Sequence, residues 1–266
     1  MIYRLPLSLL HLPYQKIQLF SMSNSALLKS SLAKKYWMAA TGLFLCTFLI
    51  GHLAGNLQLL LPFSRESALQ FNEYAYFMTH NIFIKVLSYV TYVSILFHAV
   101  DGILLAIANK KARPVGYAMS NPAANSTWPS RNMAMLGTLI LAFIIMHMSQ
   151  FWAKMHFGDL TIWPGKDGKE IKDLYSIVIY FYKQPTYGLV WCFVYLVGML
   201  ALMFHLMHGF QSAFQSVGVR HAKYTPVIKQ IGFGFAILIP LAFAFIPFYI
   251  HFALDVDQAW IDYMSK

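Results

Sequence analysis

Four histidines of the 266-residue chain lie within long apolar runs: His52, His98, His147 and His205. A histidine inside the hydrocarbon layer of a membrane is energetically costly, so it marks a candidate functional site and usually faces the interior of a helix bundle. A hydrogen bond to a neighbouring helix explains a single such histidine equally well, but four of them on four segments favour a shared chemical role. Neutral imidazole is a good iron ligand, and an electron-transfer haem takes one axial ligand on each face. The four residues therefore predict two non-covalently bound b-type haems, each held by two histidines.

The composition is that of a membrane protein. Hydrophobic residues make up 58% of the sequence and charged residues only 11%, and the mean hydropathy is +0.54. A soluble domain carries roughly 25% charged residues, so a soluble nucleic-acid binder is excluded despite the net charge of +10. Cys46 and Cys192 lie in apolar runs outside any CxxC or CxxCH motif. They give no support to covalent haem attachment or to a thiolate metal site.

Five segments are long and apolar enough to cross a bilayer as helices, which takes about 20 residues each. They predict an all-α membrane protein whose first four helices form the haem-binding bundle. The predicted helices are 36–61, 83–109, 131–155, 187–215 and 231–253. This transmembrane domain, 36–255, follows an N-terminal segment, 1–35, and precedes a tail, 256–266. Residues 1–21 are interpreted as an extension or a disordered tail, with Met22 as an alternative start.

Charge in the links between the helices indicates the orientation. Two links contain Lys and Arg but no Asp or Glu: the one between the second and third helices and the one between the fourth and fifth. The links on the other side of the membrane contain both basic and acidic residues. The basic residues on the first side are Lys29, Lys34, Lys35, Lys110, Lys111, Arg113, Arg131, Arg220, Lys223 and Lys229. Since basic loops stay in the cytoplasm, we expect a cytoplasmic N-terminus and an external C-terminus in a bacterial cytoplasmic membrane. The external stretch 171–182, rich in aromatic residues, is expected to lie along the outer interface.

The depths of the histidines sort them into two pairs. At a rise of 1.5 Å per residue, His52 and His147 lie roughly 24 Å from the cytoplasmic ends of their helices. The helices of His98 and His205 run in the opposite direction, which puts these residues about 15–16 Å from the same side. Two ligands in each of two layers predict one haem above another. Zinc would instead require a tetrahedral cluster at one depth.

Glycines recur at fixed spacings from the histidines. The first and third helices share the pattern G-x9-H, and the second and fourth share F-H-x3-G. A glycine four residues after a histidine lies on the same helix face, where a side chain would crowd a macrocycle. Close packing of helices is the alternative explanation. The predicted haem-packing glycines are Gly42, Gly102, Gly137 and Gly209.

These motifs resemble one known family. The motifs occur in the order found in the cytochrome b anchor of succinate dehydrogenase and fumarate reductase. They are residues 40–45 (ATGLFL) and 49–52 (LIGH) on the first helix, 97–102 (FHAVDG) on the second, His147 on the third, and 204–209 (FHLMHG) on the fourth. The resemblance extends over roughly residues 30–255 and fills all four ligand positions. Each motif alone is weak, and the ordered set carries the resemblance.

The resemblance implies the single-subunit, two-haem membrane anchor of respiratory complex II. In that family a flavoprotein subunit and an iron–sulfur subunit dock on the cytoplasmic face and interconvert succinate and fumarate. The anchor carries electrons between the iron–sulfur clusters and a quinone, generally menaquinone, toward the outer side. By similarity, His98 and His205 would hold the inner haem, and His52 and His147 the outer one. The direction of the reaction stays open.

Five further residues are assigned possible roles. Glu73, just before the second helix, is a candidate for proton exchange with quinol, and a solvated carboxylate is an equal alternative. Asp101 is expected to pair with a base or to order water near the inner haem, because a lone buried charge is expensive. His208 is expected to serve as a propionate or water partner. Lys85 and Arg131 are candidates for haem propionates, with snorkelling as the alternative.

One departure from the family concerns proton transfer. Some members that reduce fumarate with menaquinol carry a carboxylate on the fourth helix just before the ligand. The corresponding residues here, 201–204, read ALMF. A compensating proton path along this helix is therefore in doubt.

Two other functions remain compatible with the sequence. One is the cytochrome b anchor of a membrane-bound hydrogenase or formate dehydrogenase, although the order of the four motifs argues against it. The other is a transporter without haem, in which the histidines relay protons.

Overall fold

The chain is an all-α membrane protein with five potential spans. The computed structural model describes residues 31–112 and 122–264, so most of the predicted N-terminal segment, and Arg113, lie outside the described residues. Within them, five helices are long and apolar enough to cross a membrane. The spans are span 1, Leu32–Leu60; span 2, Ile82–Lys111; span 3, Met133–Phe157; span 4, Gly188–Ser216; and span 5, Thr225–Ala253.

The helices agree with the predicted segments to within a few residues, except at the start of span 5. That helix begins at Thr225 rather than 231, because Pro226 occupies its first turn, where no backbone N–H is needed. The helices are α1 Ser31–Asn56, α2 Arg65–His80, α3 Ile82–Lys111, α4 Pro122–Asn125, α5 Trp128–Arg131, α6 Met133–His147, α7 Ala153–Phe157, α8 Leu174–Lys183, α9 Gly188–Ser216, α10 Thr225–Phe248 and α11 Gln258–Met264.

The first four spans form a closed ring. Span 1 packs on span 2, span 2 on span 3, span 3 on span 4, and span 4 again on span 1. Span 5 lies outside this ring, mainly against span 4 and to a lesser extent against span 1. Spans 1 and 3 therefore stand at opposite corners of the ring, as do spans 2 and 4.

One end of the bundle is covered by a structure that we call the cap. It consists of α2, a hairpin of β1 (Ile162–Pro164) and β2 (Glu170–Lys172), α8 and α11. The two strands are antiparallel, with Trp163 opposite Ile171. α8 packs against α2, and its residues Tyr175, Ile179 and Tyr182 are buried. Stretch 171–182 is thus a strand and an amphipathic helix with a buried face, because apolar residues recur at helical spacing.

A buried polar contact joins α2 to α8 in the cap. Asn72 donates a hydrogen bond to Asp173 Oδ1 at 2.8 Å and accepts one from the backbone N–H of Tyr175 at 2.8 Å. Asp173 also caps α8 by accepting the backbone N–H of Ser176 at 3.1 Å. These bonds satisfy both buried side chains, which would otherwise pay an uncompensated desolvation cost.

Spans 3 and 5 each contain a π-helical turn next to the cap. The turns are Met148–Trp152, directly after His147, and Tyr249–Ala253. Lys183, at the end of α8, donates to the carbonyl oxygens of His251 at 3.3 Å and Leu254 at 2.5 Å. Its positive charge also complements the carboxyl end of the span 5 helix.

Candidate functional site

The four intramembrane histidines meet as two pairs across the ring. The imidazole ring centres of His52 and His147 are 5.8 Å apart with an interplanar angle of 78°. Those of His98 and His205 are 6.0 Å apart at 66°. Each pair joins opposite corners of the ring, and these are the pairs that the depths predict. We call the first, next to the cap, the cap pair, and the second the basal pair.

The separation of the rings lies in the range of edge-to-face ring contacts, and it also matches two imidazoles on one metal ion. A first-row metal bound to imidazole nitrogens at about 2.0 Å on opposite sides separates the two ring centres by about 6 Å. Among the described residues, no group of three or more His, Cys, Asp or Glu side chains is placed to hold a metal ion. The arrangement therefore suits a group that needs two protein ligands, and not a tetrahedral ion held by side chains alone.

Aromatic rings surround the cap pair. Phe48 stacks on His52 at 5.3 Å between ring centres, and Phe143 stacks on His147 at 5.9 Å. Phe243 of span 5 lies 5.5 Å from the His52 ring. These contacts hold each imidazole on an apolar surface and exclude water from its faces.

Among the residues that the structure describes, glycines and not aromatic side chains line the basal pair. A Cβ atom on Gly42 would lie 3.2 Å from His98 Cε1, closer than nearly all real contacts of this kind. Cβ atoms on Gly137 and Gly209 would lie 3.9 Å from atoms of the His205 ring. The glycines of spans 1 and 3 thus lie beside the histidines of spans 2 and 4, at the depth that their spacing predicts.

The fourth predicted glycine has a different neighbour. A Cβ on Gly102 would meet Met38 Cε at 3.5 Å, and no histidine atom lies among its nearest neighbours. Gly102 lies one turn after His98 on span 2, but it faces the neighbouring span 1. This contact agrees with the close packing of spans 1 and 2, the alternative that the sequence left open.

Hydroxyl groups contact one histidine of each pair. Tyr195 Oη lies 3.2 Å from His147 Nδ1, and Thr41 Oγ1 lies 3.2 Å from His98 Nδ1. Sequence analysis missed both residues. Thr41 lies inside the first quoted motif and was therefore within reach, whereas nothing in the sequence around Tyr195 marks it.

The partners of the other two histidines are weaker. Asn56 Nδ2 lies 3.4 Å from His52 Nδ1, which is long for a hydrogen bond. His205 Nδ1 is buried and has no hydrogen-bond partner within the described residues. An unpaired buried nitrogen is costly, and a metal-bound histidine ordinarily has a hydrogen-bond partner on this second nitrogen.

Glu73 has a structural partner in the cap. Its Oε1 accepts the backbone N–H of Lys166 at 2.9 Å, and its Oε2 lies 3.3 Å from Lys166 Nζ. The backbone hydrogen bond from Lys166 is the main cause that lowers the pKa of Glu73, and the lysine charge adds to it. The carboxylate is thus anchored to the hairpin loop, and its predicted proton exchange with quinol remains a hypothesis.

The remaining predicted residues lie at or near the ring. Asp101 is half-buried and forms no ion pair within the described residues, and its charge acts on His98 one turn earlier. His208 is half-buried one turn beyond His205. Lys85 is exposed near the start of span 2, at the cap end, and Arg131 is exposed just before span 3, at the opposite end. Arg131 donates to the carbonyl oxygen of Ser126 in its own link.

No protein-family model, curated protein or solved structure matches this chain. The four motifs and the geometry of the two histidine pairs are the features that indicate a function.

Proposed function

We propose that the chain is a dihaem cytochrome b anchor of a succinate:menaquinone oxidoreductase or quinol:fumarate reductase. The observation that supports this most strongly is the presence of two histidine pairs, each joining opposite spans with ring centres about 6 Å apart. A relay of protons needs no such repeated separation, because water molecules can bridge histidines that lie at different distances.

His98 and His205 would hold one b-type haem, and His52 and His147 the other. A haem with two imidazole ligands supplies reversible one-electron transfer. The chain's own contribution is to orient the four rings, to leave space beside the basal pair at Gly42, Gly137 and Gly209, and to exclude water from the cap pair with phenylalanine rings. Each haem would also connect two opposite spans and thereby stabilise the ring.

The family resemblance implies the partners, and the charge distribution implies the face on which they would dock. Basic residues at the end opposite the cap, including Lys110, Lys111, Lys223 and Lys229, support a cytoplasmic position for that end and an external position for the cap. Flavoprotein and iron–sulfur subunits would dock on the cytoplasmic face, near the basal pair. Electrons would pass between those clusters and menaquinone through the two haem sites, in the cytoplasmic membrane of a bacterium. The chain would thus be a non-flavin subunit of the enzyme, with the dicarboxylate site on a partner.

The first test is haem content. The chain is produced in membranes with a haem supply, purified in detergent, and examined by a reduced-minus-oxidised spectrum and by haem extraction. We expect the spectrum of a six-coordinate b-type haem and two haems per chain. His80→Ala is a matched control, because this exposed histidine lies in the cap and stacks on Tyr76. Wild-type chain without haem would exclude the proposal and favour the transporter.

The second test identifies the partners. A tagged chain is purified from membranes of its own source, and the co-purifying subunits are analysed for flavin, iron, nickel and molybdenum. We expect a flavoprotein together with an iron–sulfur protein. A nickel or molybdenum subunit in their place would favour a hydrogenase or formate dehydrogenase anchor.

A further inference from the structure

We propose that Thr41 and Tyr195 are positioning residues that fix the tautomer of one histidine in each pair. The inference rests on the proposed haem function, because a metal requires a ring nitrogen with a free lone pair. Each hydroxyl accepts a hydrogen bond from a histidine Nδ1–H, which leaves Nε2 as the nitrogen available for iron.

The direction of the bond at Tyr195 follows from its second partner. Tyr195 is buried on span 4, with 6% of its surface exposed. Its hydroxyl donates to Gln150 Oε1 at 2.6 Å. A phenol has one proton to donate, so toward His147 Nδ1, 3.2 Å away, the Tyr195 oxygen acts as an acceptor. His147 therefore carries its proton on Nδ1.

The same reasoning applies to Thr41 with a different second partner. Its hydroxyl donates to the carbonyl oxygen of Trp37 at 2.7 Å, with a longer contact to the carbonyl oxygen of Met38 at 3.2 Å, both one turn earlier in span 1. This back-bond is a common habit of threonine in helices, and it uses the single proton of the hydroxyl. Thr41 Oγ1 then accepts from His98 Nδ1, 3.2 Å away.

The two hydroxyls have equivalent positions in the ring. Thr41 of span 1 holds the histidine of span 2, and Tyr195 of span 4 holds the histidine of span 3. In each pair, one imidazole is thus fixed by a hydroxyl of an adjacent span. Of the other two, His52 has only a long contact at Nδ1, and His205 Nδ1 has no partner within the described residues. A hydrogen bond from Nδ1–H makes an imidazole a stronger donor to a bound metal and fixes the plane of its ring.

The experiment compares isosteric and conservative variants of the full chain in membranes. Thr41→Val removes the hydroxyl, whereas Thr41→Ser keeps it. Tyr195→Phe removes the second hydroxyl. Tyr92→Phe is its matched control, because Tyr92 accepts a hydrogen bond from Trp152 Nε1 at 2.8 Å and none from the four intramembrane histidines. The midpoint potential of each haem is measured by potentiometric titration.

Without the hydroxyl acceptor, the histidine donates less electron density to ferric iron. The ferric state is then less stabilised, so the affected haem is reduced more easily. We expect Thr41→Val to shift the reduction equilibrium of the haem at the basal pair about tenfold, which is about 59 mV for one electron. Tyr195→Phe has the same effect on the haem at the cap pair. Thr41→Ser and Tyr92→Phe leave both potentials within about 10 mV of the wild type, a fraction of the tenfold shift.

Three results would overturn the inference. The first is that both midpoint potentials stay unchanged in Thr41→Val and in Tyr195→Phe. The second is that both variants shift the potential of the same haem. The third is that Thr41→Ser shifts the potential as much as Thr41→Val does. If Thr41→Val does not assemble, Tyr195→Phe decides alone. A wild-type chain without haem would refute the proposed function only, and the tautomers are then measured by ¹⁵N NMR of labelled histidines. In that case a proton on Nδ1 of His98 and His147 is the expected result, and a proton on Nε2 overturns the inference.

Discussion

The two histidine pairs have nearly the same ring separation but different surroundings. The cap pair lies among phenylalanines under a folded cap, and the basal pair lies among glycines near the basic links. Both pairs join opposite spans of the same ring of four. The surroundings come from residues of the adjacent spans. Since the potential of an iron centre depends on hydrogen bonds, burial and dielectric around its ligands, one repeated ligand set can give two functionally different sites.

The largest expected effect comes from removing ligands one at a time. His98→Ala and His205→Ala should abolish the same haem, and His52→Ala and His147→Ala the other, because one axial ligand leaves the iron poorly held. Haem content should fall from two to one per chain in all four variants. Redox titration identifies which haem remains. Loss of different haems from His98→Ala and His205→Ala would break the proposed pairing.

A side chain at Gly42 should damage the basal pair selectively. Gly42→Val places methyl groups where a Cβ already comes within 3.2 Å of His98, and we expect a loss of about 3 kcal/mol of stability from overpacking. The haem at the basal pair should be lost or shifted while the other is kept. Gly51→Val is the control on the same span, because no heavy atom lies within 4 Å of its Cβ position. Thermal unfolding and the spectra of both variants measure the difference, and equal effects would contradict it.

The cap should matter for the cap pair alone. Asn72→Ala leaves the buried Asp173 carboxylate without its side-chain donor, and we expect a loss of about 2 kcal/mol. Hydrogen exchange should accelerate in α2 and α8, and the haem at the cap pair should become more accessible to a water-soluble reductant. Gln70→Ala, on the exposed side of α2, is the control. A changed accessibility of the haem at the basal pair would contradict the separation of the two sites.

The smallest effect is a pH dependence of the hairpin. The pKa of Glu73 is lowered from its ordinary value of 4.5 mainly by the backbone N–H of Lys166. Its contribution to hairpin stability is therefore fully present above that ordinary value and is lost as pH falls through the lower value in the folded protein. Hydrogen exchange of residues 162–172 should accelerate below pH 4.5 in the wild type. Glu73→Gln should show a weaker pH dependence, and the spectrum of the basal haem should not change in this range.

The spans and the histidine pairs follow from local sequence properties. Apolar length identifies a span, and the rise of a helix converts position into depth. The same reasoning located Gly42 and Gly137 beside the basal pair, because a fixed spacing on a straight helix gives a fixed height. Depth alone did not predict that Gly102 faces span 1, since it does not tell which neighbouring helix a residue faces.

The cap and the two hydroxyls were not predicted, for a different physical reason. α2 has a low mean hydropathy and its buried contact joins Asn72 to a residue 101 positions away. Such a contact has no signature in either segment alone. Tyr195 and Thr41 likewise depend on the rotation of one span against its neighbour, which a single sequence without contact information does not give.

The π-helical turn after His147 affects how the length of span 3 can vary. An i→i+5 turn contains one residue more than an α-helical turn, so Met148–Trp152 accommodates an extra residue without displacing what precedes it. Deleting the exposed Ser149 should convert the turn to a regular helix and leave the residues on both sides near their present orientations, with His147 unmoved. Deleting one residue between Gly137 and His147 would instead rotate His147 by about 100° and turn it away from the interior of the four-span ring. Chain length in span 3 is therefore strictly constrained on one side of His147 and adjustable on the other.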